Sequence, residues 1–60
     1  MSRYDRWRAA PLDELEHEIR VVQARFKQRR VLPADMQAER IYLANLKTIA
    51  ADKRRKEGRS

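Results

Sequence analysis

Leu12, Leu15, Ile19, Val22 and Phe26 recur along the chain at alternating intervals of three and four. At ~100° per residue they fall on a stripe about 80° wide, the geometry of a coiled-coil seam. Met36, Ala38, Tyr42, Leu43, Leu46, Ile49 and Ala50 form a second helical set. It spreads over roughly 160° of the same wheel. No stretch alternates apolar and polar residues in the manner of a strand, and the one glycine, Gly58, lies near the end. The body of the chain is therefore expected to be all-α.

Two prolines punctuate it. Pro11 and Pro33 stand in similar settings, Ala-Pro-Leu-Asp and Leu-Pro-Ala-Asp. Proline at a first helical position loses no hydrogen bond, and the residue before it is driven out of helical conformation. An aspartate in the first turn suits the helix dipole, as do Lys27, Arg29 and Arg30 at the end of the preceding segment. Glu16 and Arg20 add a pair one turn apart. Helices are predicted over about 11–29 and 33–55, with a connection near Arg30 to Leu32. So short a link implies an antiparallel helical hairpin.

The narrow seam of the first helix cannot cover the broad face of the second. A second copy would solve the mismatch, and two hairpins packed as a four-helix bundle, a homodimer, are expected. Cover by the N-terminal segment or by a foreign partner is the alternative. Ile41, off the main stripe, joins Ala34, Ala44 and Thr48 in a weaker strip that reads as exposed surface.

Residues 1–10 form an aromatic and basic segment. Ser2 and Asp5 have the spacing of a capping box, which predicts one short helical turn. Tyr4 and Trp7 then share a side, and are expected to fold over Ile49 and Ala50 at the open end of the core. Their alternative role is as an interaction anchor among Arg3, Arg6 and Arg8, since Trp, Tyr and Arg dominate binding hot spots.

The chain has 60 residues and no cysteine, so no disulfide supports so small a core. Lys and Arg number 15 against 9 Asp and Glu, a net charge of +6. That balance favours anionic partners. Residues 56–60 read as a mobile basic tail, and Lys53, Arg54, Arg55 and Lys56 as a complement to the helix dipole or a phosphate-contacting arm. The start of the chain lacks the apolar core of a leader and no apolar run is long enough to span a bilayer, so a cytoplasmic protein with no membrane partner is expected.

Little in the sequence supports catalysis. Glu14 and His17 match a di-iron ligand spacing, but they point more than about 100° away from the seam and from Glu39. No metal site or cofactor is expected. No serine has a base beside it, and two packed helices promise no cleft of the several hundred Å³ a small-molecule substrate usually needs. In size and hairpin-dimer arrangement the chain resembles, in architecture alone, the plasmid-encoded RNA-binding hairpin dimer Rop, and no residue carries over. The expected function is a non-catalytic regulator or inhibitor that docks on a larger protein or assembly. Tyr4, Trp7, Ile41, Tyr42, Leu43 and Leu46 are the candidate contacts. The alternative is DNA or RNA binding through Arg25, Arg29 and Arg30 or the basic residues 53–56, in which case affinity would fade steeply with salt.

Overall fold

The computed structural model describes residues 2–58. Three helices follow in order: α1 (Asp5–Ala9), α2 (Leu12–Lys27) and α3 (Met36–Glu57). No strand occurs among the described residues. The long helices α2 and α3 pack on each other, and α1 packs on α3. An ion pair between Glu16, early in α2, and Arg54, late in α3, fixes them as antiparallel. The molecule is flat, with principal extents of 42 × 25 × 14 Å.

The short first helix begins as its spacing predicts. The Tyr4 backbone N–H donates to Ser2 Oγ at 3.2 Å, and the Ser2 N–H donates to Asp5 Oδ2 at 3.2 Å. This reciprocal pair satisfies donors that a helix start otherwise leaves free. Ala10 and Pro11 are then extended (ψ 152° and 151°), which separates α1 from α2. Pro11 is the cap of α2 rather than its first residue, and its carbonyl accepts from the Leu15 N–H.

The connection differs from expectation. It spans residues 28–35, because α2 stops at Lys27 and α3 starts only at Met36. Arg29 adopts a left-handed conformation (φ 55°). Its N–H donates to the Phe26 carbonyl at 3.1 Å, and the Arg30 N–H donates to the Arg25 carbonyl at 2.9 Å. These two bonds make a Schellman stop, a position usually held by glycine. Pro33 does not open α3. It opens a turn in which the Asp35 N–H donates to the Leu32 carbonyl at 2.9 Å, and α3 follows.

The core is small and continuous. Leu15, Val22 and Leu46 are fully enclosed, with Ile19, Tyr42, Ile49 and Ala50 beside them. Tyr4, Trp7, Leu12, Phe26 and Leu43 pack around this cluster half-buried. Burying a side chain of this size is worth about 1.5–3 kcal/mol each relative to exposure, so these few residues supply most of the driving force. The breadth of the α3 face is real, and one flank of it is covered from within the chain by α1. Ala38 and Met36, counted in that face, remain exposed.

Candidate interaction surface

The α2–α3 pair has two flanks, and they differ in kind. On one, α1 is fastened by side-chain chemistry. Trp7 Nε1 donates to Tyr42 Oη at 2.9 Å, and Tyr42 Oη donates to Glu18 Oε2 at 2.8 Å. Asn45 Nδ2 donates to Tyr4 Oη at 3.0 Å, and the Tyr4 and Tyr42 rings stand 6.0 Å apart. The Arg3 guanidinium lies 3.8 Å from the centre of the Tyr42 ring, and that of Arg6 lies 4.9 Å from the Trp7 ring. Lys53 Nζ donates to the Arg8 carbonyl at 2.6 Å. Burial, and next the bond to Glu18, push the Tyr42 phenol above its ordinary pKa. A phenol that loses its proton there would lose hydration and face a carboxylate.

Tyr4 and Trp7 thus pack against the core cluster that includes Ile49 and Ala50, and their polar atoms anchor on Tyr42 and Asn45. Their polar groups are used within the chain.

The other flank is an open groove. Its α3 wall carries Met36, Arg40, Leu43, Lys47, Ala50 and Arg54, and its α2 wall Glu16, Ile19, Arg20, Gln23, Phe26 and Lys27. These residues recur every three or four positions, so each set is one face of its helix. The groove comprises hollows of about 390, 480 and 560 Å³, all open to solvent. None of these hollows is an enclosed cleft. Ile19, Phe26, Leu43 and Ala50 form the floor.

Charge separates the two halves of the molecule further. Residues 20–47 contain seven cations, Arg20, Arg25, Lys27, Arg29, Arg30, Arg40 and Lys47, against Asp35 and Glu39. That half therefore holds a net +5 of the whole chain's +6. Among the described residues, none of these seven makes an ion pair; Arg40 reaches only the Met36 sulfur, at 3.9 Å. At the other end the charges are matched. Arg54 binds Glu16, Arg55 binds Asp52 and Arg8 binds Asp5.

The residues singled out from sequence are dispersed by this arrangement. Leu46 is fully enclosed and Tyr42 nearly so, which leaves neither free to meet a partner in the folded protomer. Leu43 lies in the groove, while Ile41 is 53% exposed on α3 away from it. Arg29 stands at the loop end of the groove with Val31, Pro33 and Met36. Arg25 and Arg30 are exposed and contribute charge outside the groove walls. Lys53, Arg54, Arg55 and Lys56 all belong to α3, which continues through Glu57, and the first three are engaged within the chain. Of the tail read as 56–60, positions 59 and 60 lie outside the described residues.

The sequence reading missed Arg20, Lys27, Arg40 and Lys47 as a set. The signal was present: Arg20 and Lys27, and likewise Arg40, Lys47 and Arg54, are spaced by seven. Seven residues are about two helical turns, which aligns each series beside the apolar seam.

His17 is exposed on the rim of a separate hollow of about 450 Å³ with Asp13, Glu14, Glu18, Arg6 and Trp7. No three potential metal ligands converge among the described residues. No helix among them is long and apolar enough to cross a membrane. No family model, curated protein or solved structure matches this chain.

Proposed function

We infer that this chain is a non-catalytic binding module whose docking face is the basic α2–α3 groove and its loop end, and that its partner is anionic. Such a module suits a small regulator or inhibitor that acts by occupying a surface of a larger protein. The observation that carries the reading is the segregation of charge: seven cations without ion-pair partners belong to one half, and four of them, Arg20, Lys27, Arg40 and Lys47, line the groove. Unpaired like charges repel one another and contribute nothing to folding, and a partner of opposite charge relieves that repulsion.

The homodimeric four-helix bundle does not form part of this proposal. Tyr4 and Trp7 occupy the Tyr42 flank of α3, and the flank left open is lined by like charges that a second copy would bring together. Binding through the Tyr4 and Trp7 corner is set aside because their polar groups are used within the chain.

The test is retention on a sulfated polyanion support as a function of salt. Lys27→Glu with Lys47→Glu should lower the eluting salt concentration well below that of a variant with Lys53, Arg55 and Lys56 changed to Gln. Both designs spare the core. A larger loss from the second variant would move the docking face to the end of α3 and overturn the reading.

A further inference from the structure

We propose that the groove takes an acidic amphipathic helix from a partner protein. The inference rests on the reading of the groove as an anion-selective docking face, and it names the occupant.

Two features of the groove make different demands. On its floor Phe26 and Leu43 are half-buried and gain from further apolar contact, while Ile19 and Ala50 beside them are already enclosed. Its rims, with Arg20 and Lys27 on α2 and Arg40 and Lys47 on α3, call for negative charge. A helix with apolar residues at i, i+3, i+4 and i+7 flanked by Glu or Asp meets both demands at once. The spacing also fits. On each wall the cations repeat every seven residues, about 10.5 Å along a helix, and a third helix lying alongside presents carboxylates with the same period. From Met36 to Arg54 the α3 wall runs about 27 Å, which accommodates roughly five turns. The one acid on the walls, Glu16, is already neutralised by Arg54. The opposite flank shows the same solution within the chain, where α1 lays Tyr4 and Trp7 against the α2–α3 core.

Nucleic acid fits the groove less well. Single strands are held by stacking bases on aromatic rings. Among the described residues Tyr4, Trp7 and Tyr42 are tied to one another or to neighbours, which leaves Phe26, half-buried, as the one aromatic ring in the groove. A phosphate backbone would use the rims and leave the apolar floor wet.

Three probes separate these cases by fluorescence anisotropy with the full chain. The first is an 18-residue peptide of Leu and Glu with its leucines on one helical face. The second has the same composition permuted so that the leucines share no face. The third is a 12-nucleotide oligothymidylate. The amphipathic peptide should bind at least tenfold more tightly than either other probe, and keep most of that advantage between 50 and 200 mM salt. Lys27→Glu with Lys47→Glu should weaken it at least tenfold, with unchanged circular dichroism and Trp7 emission. Equal binding of the permuted peptide, or preference for the oligonucleotide, would overturn the helix inference and leave a basic docking face for anions standing. Binding of none of the three probes, or binding insensitive to the double charge reversal, would overturn both.

Discussion

The two ends of this hairpin are built from similar residues and satisfy them differently. Around α1 and the end of α3, each of Arg8, Arg54 and Arg55 has a carboxylate partner, and Lys53 has a backbone carbonyl. Around the connecting loop, Arg20, Lys27, Arg29, Arg30 and Lys47 have none. Leu32 (66%), Met36 (36%) and Val31 remain wholly or partly exposed there. The first end is finished by its own sequence, and the second is left for something else to finish. Composition alone hides this division, since it reports only a basic chain.

Core truncation should expose the division most strongly. Leu46 is fully enclosed, so Leu46→Ala should cost about 2–5 kcal/mol and leave little folded protein in a domain this small. Phe26 lies half-buried towards the loop end, and Phe26→Ala should cost about 2 kcal/mol, below the range for an enclosed ring. Urea denaturation followed by circular dichroism checks both. Equal losses would mean the loop end is as tightly packed as the other.

The Trp7–Tyr42–Glu18 chain is the next largest effect. Tyr42→Phe leaves Trp7 Nε1 and a Glu18 oxygen without their partner and should cost about 1–2 kcal/mol. It should also change the response to alkali. Because the fold holds the Tyr42 phenol above its ordinary value, chiefly by burial, folding favours the protonated form. That contribution is fully present below the unfolded tyrosine pKa of about 10, and it is lost as pH rises through the higher folded value. Stability measured against pH should therefore fall above about 10 in the native chain, and fall less in Tyr42→Phe.

Arg29 offers a change of opposite sign. Its left-handed backbone costs a residue with a Cβ roughly 1–2 kcal/mol, part of which glycine gives back through its freer unfolded chain. Arg29→Gly should stabilise the protein by about 0.5–1 kcal/mol while weakening its hold on a polyanion. Stability and binding moving in opposite directions would mark the loop as shaped for a partner. The smallest effect belongs to the Glu16–Arg54 pair, whose arginine is well exposed; Glu16→Gln should cost about 0.5 kcal/mol, less in high salt.

The two long helices were legible in the periodicity, and the short α1 in the capping spacing of Ser2 and Asp5. The mismatch between the narrow α2 seam and the broad α3 face was legible too. The length of the loop was not, because the stop after Lys27 is made by an arginine in a conformation that glycine usually announces. Pro33 was misplaced for the same reason: once α2 ends early, proline has room to sit in a turn ahead of α3. The position of Trp7 depended on Tyr42 and Glu18, residues far apart in sequence whose hydroxyl and carboxylate meet only after packing. The basic groove is not legible in either helix alone, because Lys27 also suits its own helix dipole and meets Lys47 only across the groove.

The most direct test is amide shift mapping by NMR, on the full chain titrated with the acidic amphipathic peptide. Shifts clustered on residues 16–31 and 36–54, with the Trp7 indole resonance unmoved, are the result this account predicts. Shifts centred on residues 2–8 and 55–58 would contradict it, because the end that satisfies its own charges would then be the one that binds.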